Sequence, residues 1–272
     1  NIWQPDNIMA KIIPSLTDLA GNLTVVNGNS LLSAENIELI RANYEIIMKP
    51  VMEVYNVGKA NGWAILPLLD ELSPAAAACG AVNTVCIKNG RAIGYNTDGQ
   101  GFVDSLRARG LEPEGKTVLL LGTGGAGDAI CDALVGAGVK KIFVTNRSVY
   151  PAQDLAARYP DKAQFIYFGI FPVRHAMAES DLFINAPSLG MAGMKEFSDL
   201  GFLRDAPAGV TVYDLVYNPR QTMLLREAEK RGLPTVSGID LLLYQAARAF
   251  KMFTGKDVDM PALFSALEGK LD

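Results

Sequence analysis

In Val118-Leu119-Leu120-Leu121-Gly122-Thr123-Gly124-Gly125-Ala126-Gly127, an apolar strand runs directly into a glycine-rich turn. The glycines have G-x-G-x-x-G spacing, in which one permits a tight turn, one lets the backbone approach a pyrophosphate, and one lets the helix pack on the strand. Residues 128–135 have helical periodicity, so their N-terminal N–H groups and dipole would face the phosphates. A second strand at residues 141–145 completes the unit. This pattern predicts a dinucleotide site, with an ordinary glycine-rich turn as the alternative; its binding residues are Gly122, Gly124, Gly125, Ala126 and Gly127.

The end of the second strand indicates which dinucleotide binds. An NAD site usually carries Asp or Glu about 20 residues after the glycines, where the carboxylate binds the ribose 2′-hydroxyl. This chain has Asn146-Arg147-Ser148 at that position. No carboxylate would repel a 2′-phosphate, the guanidinium would attract it, and the serine hydroxyl would bind its oxygens. Asn146, Arg147 and Ser148 therefore favour NADP, and an exposed arginine at a strand end is the alternative. The next basic residue is Arg158.

Apolar strands and amphipathic helices alternate from about residue 116 onward. The predicted strands are residues 117–121, 141–145, 164–168, 181–184, 210–215 and 234–237, and two further helices are predicted at residues 239–250 and 261–267. This alternation predicts an α/β fold with a Rossmann-type, doubly wound parallel sheet. Ligands of such sheets bind at the carboxyl ends of the strands.

The first hundred residues follow a different pattern. Residues 39–47 and 64–72 are apolar and helix-like, while residues 85–87 and 92–94 flank an Asn89-Gly90 turn. An Asn-Gly pair between two apolar runs is typical of a β-hairpin. We therefore expect a second, smaller α/β domain.

Composition restricts the classes of partner. The 272 residues carry a net charge of −4 without a lysine or arginine stripe, so we expect no nucleic-acid partner. The sequence has no apolar run of membrane-spanning length and no signal-peptide pattern, so we expect no membrane partner and a cytoplasmic protein. Cys79, Cys86 and Cys131 have no C-x-x-C pairing, which predicts buried thiols and no metal site. The only histidine, His175, is predicted on a surface helix, which leaves acid-base chemistry to another group.

Two motifs carry a resemblance to a known family. They are Gly80-Ala81-Val82-Asn83-Thr84 and Gly94-Tyr95-Asn96-Thr97-Asp98-Gly99. Together with the glycine turn and residues 67–74, 146–148, 185–191, 214–219 and 238–245, they resemble the shikimate and quinate dehydrogenase family in order and spacing. The resemblance extends from about residue 56 to the C-terminus. It implies an NADP-dependent enzyme of aromatic amino acid biosynthesis that interconverts 3-dehydroshikimate and shikimate, both small molecules, and we expect a monomer or homodimer.

The resemblance also implies a domain organisation and a set of substrate contacts. Residues 1–100, completed by helices at 239–272, would form the substrate domain, and residues 101–238 the NADP domain, with the active site in the cleft between them. The family positions that match Asn83, Asp98, Tyr217 and Gln245 contact the substrate, and the aspartate is also half of a Lys-Asp pair implicated in proton transfer. Turn capping is the alternative for Asn83 and Asp98, and a solvent-facing helix position is the alternative for Gln245.

Further positions are carried over from the same family. Met191 and Gly238 would contact the cofactor. Ser15 and Thr17 match the clamp for the substrate carboxylate, although the proline of that clamp is absent, and a helix N-cap by Thr17 or Asp18 is the alternative.

One departure from the family concerns the lysine that partners the aspartate. The family carries Asn-Val-Thr-x-Pro-x-Lys where this chain has Asn56-Val57-Gly58-Lys59-Ala60-Asn61-Gly62, so Gly62 occupies the lysine position. Lys59 is either a substitute or a solvated surface residue. Three alternatives to an NADP-dependent shikimate dehydrogenase therefore stay open: a quinate or shikimate dehydrogenase using NAD or NADP, a non-catalytic protein that binds NADP and a polyol acid, and another dehydrogenase with similar architecture.

Overall fold

The computed structural model describes residues 24–26, 29–31, 66–88 and 91–267. Its strands are β1 (Thr24–Val26), β2 (Asn29–Leu31), β3 (Glu71–Leu72), β4 (Thr84–Lys88), β5 (Arg91–Tyr95), β6 (Thr117–Leu121), β7 (Lys141–Thr145), β8 (Ala163–Phe165), β9 (Leu182–Asn185), β10 (Thr211–Asp214) and β11 (Thr235–Ser237). Its helices are α1 (Pro74–Cys79), α2 (Asp98–Ala108), α3 (Gly125–Gly136), α4 (Val149–Arg158), α5 (Ile170–Ala178), α6 (Met223–Lys230), α7 (Gly238–Thr254) and α8 (Met260–Leu267). Two short 3₁₀ helices lie at Leu66–Leu68 and Gly201–Asp205.

The described residues fall into two compact units. The larger unit comprises residues 73–83 and 95–246. The smaller unit comprises residues 66–72, 84–94 and 247–267, together with the antiparallel pair β1 and β2. Helix α7 therefore contributes residues to both units.

A six-stranded parallel sheet forms the centre of the larger unit. Its strand order is β11-β10-β9-β6-β7-β8, and each neighbouring pair is parallel. The chain runs outward from β6 to β7 and β8, then crosses to the other side of β6 and continues through β9, β10 and β11. This order confirms the predicted Rossmann-type, doubly wound α/β fold. The strand order reverses between β6 and β9.

Two hydrophobic cores cover the faces of this sheet. Because successive side chains of a strand point to opposite faces, β6 contributes Val118 and Leu120 to one core and Leu119 and Leu121 to the other. Helices α2, α3 and α4 supply apolar residues to the first core, and α5 and α6 to the second. All five residues of β6 are buried, as expected for a parallel strand with helices on both sides.

The edge strand β8 differs from its prediction. Residues 164–168 were expected to be extended, but β8 ends at Phe165, and Tyr167 and Phe168 are exposed. Val144 of β7 pairs with Phe165, and its carbonyl also accepts from Ile166 N, while β7 itself ends at Thr145. The neighbouring strand therefore provides no further pairing, and the aromatic residues that follow leave the sheet. The other predicted strands of this sheet are confirmed to within one residue at each end.

The smaller unit contains a three-stranded sheet in the order β3-β5-β4. Strands β4 and β5 are neighbours, as predicted, and the intervening Asn89-Gly90 turn lies outside the described residues. The predicted helix at 64–72 is wrong, because the described part contains a 3₁₀ helix followed by β3. Pro67 has no N–H to continue a helix, and Asp70 pairs with Ala92 through both its backbone N–H and its carboxylate. The predicted helix at 39–47 also lies outside the described residues.

The predictions for the cysteines, the histidine and the two C-terminal helices are confirmed. Cys79, Cys86 and Cys131 are buried and form no disulfide, as predicted. His175 lies on α5 with 82% of its side chain exposed, next to Glu179. Helices α7 and α8 occur where they were predicted, α7 being longer. Among the described residues, no helix has both the length and the apolar character needed to cross a membrane, and none of their side chains forms a cluster suited to a metal ion.

Candidate active site

The glycine turn after β6 requires glycine at two positions for steric reasons. Gly122 has a φ of +97°, and a Cβ there would lie 2.6 Å from Cδ of Pro187. A Cβ on Gly127 would lie 2.2 Å from the carbonyl oxygen of Gly122. A Cβ on Gly124, in contrast, would have no neighbour within 4 Å. Gly122 and Gly127 therefore permit the turn and its packing, and Gly124 leaves open space in front of the backbone.

Helix α3 presents its N-terminus at this open space. Gly124 is the N-cap residue, and no side chain caps the helix. Gly124 and Gly125 are both exposed. Because the first N–H groups of a helix have no intrahelical acceptor, they and the helix dipole favour a bound anion. The geometry fits a pyrophosphate.

Buried polar atoms without partners gather at the same edge of the sheet. Thr145 ends β7 and Asn185 ends β9, and both pair with Leu121 of β6. Thr145 Oγ1, Asn185 Oδ1 and Oγ1 of Thr123 have no hydrogen-bond partner within the described part of the chain. Such atoms are rare in folded proteins, because a buried polar group without a partner is costly. Their place where the strand order reverses fits the hydroxyl and phosphate groups of a dinucleotide.

The turn after β7 carries an exposed positive charge. Asn146 Nδ2 donates to the carbonyl oxygen of Ser148 at 3.2 Å, which closes the turn. Arg147 and Ser148 are exposed, and Ser148 precedes α4 without a capping hydrogen bond from its side chain. No hydrogen bond or ion pair holds the Arg147 guanidinium among the residues described. A cation and a hydroxyl are therefore free to bind a phosphate at this turn.

A second polar group lies around Asn83. Its Nδ2 donates to Asp98 Oδ1 at 2.8 Å and to Thr97 Oγ1 at 3.0 Å. Its Oδ1 accepts from the backbone N–H of Thr97 at 3.0 Å. Thr97 Oγ1 also lies 3.3 Å from Gln245 Oε1. Residues from the α1–β4 loop, the start of α2 and helix α7 thus meet in one cluster, which we call the Asn83 cluster.

A close contact between helices brings Gln245 into this cluster. A Cβ on Gly101 of α2 would lie 2.7 Å from the backbone nitrogen of Gln245. The absence of a side chain at Gly101 therefore allows α7 to approach α2. Gln245 Nε2 donates to the carbonyl oxygen of Leu242 at 3.0 Å, which fixes the orientation of the amide.

Asp98 is the titratable group of the Asn83 cluster. Burial raises the pKa of Asp98 from 3.8 to about 6, and the hydrogen bond from Asn83, which favours the ionised form, opposes this rise. A carboxyl group with such a pKa can both accept and release a proton near neutral pH. Among the described residues, no ion pair joins Asp98 to a cation.

The raised pKa has a measurable effect on stability. At pH 8 Asp98 is ionised in both states, but burial disfavours the charge only in the native state, so ionisation destabilises the protein. This cost begins to decrease as the pH falls through about 6, and it is absent below 3.8. Asp98→Asn should therefore have a higher urea midpoint than the wild type at pH 8, and the difference should shrink towards pH 5. A difference independent of pH would contradict this prediction.

Asp214 forms a buried hydrogen-bond network at the ends of β9 and β10. Its Oδ1 accepts from Asn185 Nδ2 at 2.8 Å and from Val216 N at 3.1 Å, and its Oδ2 accepts from Thr222 Oγ1 at 2.6 Å. Burial raises the pKa of Asp214 to about 6, and these three donors oppose the rise. Asp214 and Thr222 were not predicted as site-building residues, although Asp214 lies near the end of a predicted strand and begins the segment 214–219 that shares the family resemblance.

Backbone hydrogen bonds beside this network join the segments that carry three of the predicted site residues. Tyr217 lies in the loop after β10, and Met191 lies in the loop after β9; Ala192 N donates to the carbonyl oxygen of Asn218 at 2.9 Å, which links the two loops. Gly238 N donates to the carbonyl oxygen of Val216 at 3.2 Å. Ser15, Thr17, Gly58, Lys59 and Gly62 lie outside the described residues.

Comparisons with known proteins identify the family. The family model for shikimate / quinate 5-dehydrogenase matches residues 106–191. The shikimate dehydrogenase (NADP(+)) of Symbiobacterium thermophilum is 41% identical over 216 residues, covering 76% of this chain and 74% of that protein.

Solved structures are similar as well. Shikimate 5-dehydrogenase from Listeria monocytogenes, in complex with shikimate and NAD, has a TM-score of 0.71 and 32% identity, covering 80% of this chain and 82% of that one. The Thermus thermophilus enzyme, in complex with NADP(H) and shikimate, has a TM-score of 0.64 and 34% identity, covering 76% of this chain and 74% of that one. The chain belongs to the shikimate and quinate dehydrogenase family.

Proposed function

We propose that this protein is an NADP-dependent shikimate dehydrogenase, which interconverts 3-dehydroshikimate and shikimate in aromatic amino acid biosynthesis. The observation that carries this proposal is the Asn83 cluster, in which Asp98 has a pKa of about 6 and accepts a hydrogen bond of 2.8 Å from Asn83. The relative from Symbiobacterium thermophilum is an NADP-dependent shikimate dehydrogenase by name. The Thermus thermophilus relative has been solved with NADP(H) and shikimate.

The cofactor residues divide into three groups. The N–H groups of Gly124, Gly125, Ala126 and Gly127, at the start of α3, would bind the pyrophosphate. Arg147 and Ser148, with the turn closed by Asn146, would bind the 2′-phosphate. Met191 and Gly238 would lie at the nicotinamide end. The nicotinamide ring of bound NADP supplies or accepts the hydride.

The substrate residues have separate roles. Asn83, Tyr217 and Gln245 would orient the substrate hydroxyls, while Ser15 and Thr17 would bind its carboxylate. During shikimate oxidation, the carboxylate of Asp98 accepts the proton of the reacting hydroxyl as the carbon loses its hydride. In the reverse direction, Asp98 donates this proton to the carbonyl oxygen as the carbon gains the hydride. Both the proton and the electron pair are thus accounted for.

The domain roles follow from the same assignments. Residues 101–238 would bind NADP, and residues 1–100 with 239–272 would bind the substrate. A cytoplasmic location is proposed because its reducing conditions suit three buried cysteines that form no disulfide. We propose a monomer or a homodimer that acts on a small molecule.

An absorbance assay tests the proposed function. The purified protein is mixed with shikimate and then with quinate, using NADP⁺ and NAD⁺ in turn, and NADPH or NADH formation is followed. We expect the highest kcat/KM with shikimate and NADP⁺. No turnover at high protein concentration, together with measurable NADP⁺ binding, would overturn the proposal in favour of a non-catalytic binding protein. Higher kcat/KM with quinate would reassign the substrate.

Arg147 should set the preference for NADP⁺ over NAD⁺. Arg147→Ala removes a charge-assisted interaction with the 2′-phosphate, which is worth about 1.5–3 kcal/mol. We expect KM for NADP⁺ to rise about 10- to 100-fold with KM for NAD⁺ unchanged, as measured in steady-state assays. Lys140→Ala, another exposed cation of the same unit, is the control. Equal effects on the two cofactors would contradict this role.

A further inference from the structure

Arg158 is the basic residue that follows Arg147 in the sequence, but it does not lie at the turn after β7. It stands at the C-terminal end of α4, nine residues after Val149 begins the helix, or about 13 Å along it. Its guanidinium contacts two other helices. It forms an ion pair with Asp128 of α3, and its Nη1 donates to the carbonyl oxygen of Ala78 in α1 at 2.5 Å.

The position of Asp128 makes this ion pair informative. Asp128 lies in the first turn of α3, the helix whose N-terminus fits a pyrophosphate. Only 17% of its side chain is exposed, and its Oδ1 has no hydrogen-bond partner among the described residues. A poorly solvated carboxylate near a bound polyanion repels that anion, and little water is present to screen the repulsion. Arg158 supplies the compensating charge.

The second contact of Arg158 reaches the segment that leads to the Asn83 cluster. Ala78 lies near the end of α1, and residues 80–83 follow. This segment packs against the start of α3, because a Cβ on Gly125 would lie 3.3 Å from the Cβ of Ala81. Arg158 therefore contacts both the helix that faces the pyrophosphate and the segment that carries Asn83.

We propose that Arg158 is a positioning residue for NADP, because it neutralises Asp128 beside the pyrophosphate. This inference rests on the proposed function, because it takes NADP as the ligand. It assigns to Arg158 an action through Asp128, with no contact between Arg158 and the cofactor.

Charge variants separate this role from a purely structural one. NADP⁺ binding to the purified protein is measured by isothermal titration calorimetry, and folding is checked by thermal unfolding. Arg158→Gln leaves the Asp128 carboxylate uncompensated, so we expect the Kd for NADP⁺ to rise roughly tenfold. Asp128→Asn with Arg158→Gln removes both charges, and its Kd should return to within about threefold of the wild type. If the ion pair were only structural, the Kd of the double variant should stay raised, because this variant also lacks the ion pair.

Two more variants complete the test. Arg158→Lys keeps the charge and should keep most of the NADP⁺ affinity, which preserves the test if Arg158→Gln does not fold. Arg174→Gln breaks the Arg174–Asp205 ion pair elsewhere in the unit, whose arginine is as exposed as Arg158, and should leave the Kd unchanged. A wild-type protein that does not bind NADP⁺ would refute the proposed function. A wild-type protein that binds it, with an unchanged Kd in Arg158→Gln or no recovery in the double variant, would refute the role of Arg158 alone.

Discussion

Replacing Asp98 with asparagine is expected to lower kcat for shikimate oxidation about 10²- to 10⁴-fold, the usual contribution of a positioned acid-base group. Asparagine retains an oxygen that can accept the hydrogen bond from Asn83, so the geometry of the cluster is kept while the proton acceptor is lost. The Kd for NADP⁺ should not change. Steady-state assays and calorimetry measure the two quantities.

The pH dependence provides a second readout for Asp98. Oxidation requires the ionised carboxylate, so kcat/KM of the wild type should fall as the pH drops below about 6, and this limb should be absent from the residual activity of the variant. Asp104→Asn, on the same helix, is the control and should behave like the wild type. Activity of Asp98→Asn within tenfold of the wild type, with the acidic limb retained, would contradict the assignment.

Replacing Gly127 with alanine is expected to lower kcat/KM for NADP⁺ about 100-fold, because a misplacement of roughly 1 Å in a binding site can have this effect. The added Cβ would lie 2.2 Å from the carbonyl oxygen of Gly122, so the turn must move. The free energy of unfolding should also fall by about 1–3 kcal/mol, as for other overpacked sites. Steady-state kinetics and urea unfolding measure these effects.

Gly136 provides a matched control for Gly127 on the same helix. A Cβ at Gly136 would have no neighbour within 4 Å, so Gly136→Ala should leave kcat/KM unchanged and raise stability slightly, by about 0.4–1 kcal/mol. A Gly127→Ala variant with wild-type kinetics would show that the turn tolerates a side chain, and the steric explanation would then be wrong.

Local sequence patterns predicted the parallel sheet of the larger unit well. The β6–α3–β7 unit follows from apolar runs and glycine spacing, signals that lie within about 30 residues. The end of β8 could not be predicted in this way, because the length of its neighbour β7 determines it. The prediction of a helix at residues 64–72 was wrong for a similar reason, since Asp70 pairs with Ala92 of a strand distant in sequence.

The candidate site shows the same limit. The motifs around Asn83 and Asp98 placed both residues in one site through a family resemblance, and the structure shows their hydrogen bond. Asp214, in contrast, acquires its role from Asn185 and Thr222. Neither partner belongs to a short motif with it, so only the folded chain reveals this network. The pairing of Arg158 with Asp128 was hidden for the same reason.

Strand β6 belongs to both hydrophobic cores, with Val118 and Leu120 on one side and Leu119 and Leu121 on the other. Local opening of either layer of helices leaves the strand held by the other, so its backbone amides should exchange with solvent deuterium only through global unfolding. The glycine turn begins where this strand ends. One end of the glycine turn is thus anchored to a strand that we expect to exchange slowly, and we expect the turn to lose little conformational entropy when a dinucleotide binds.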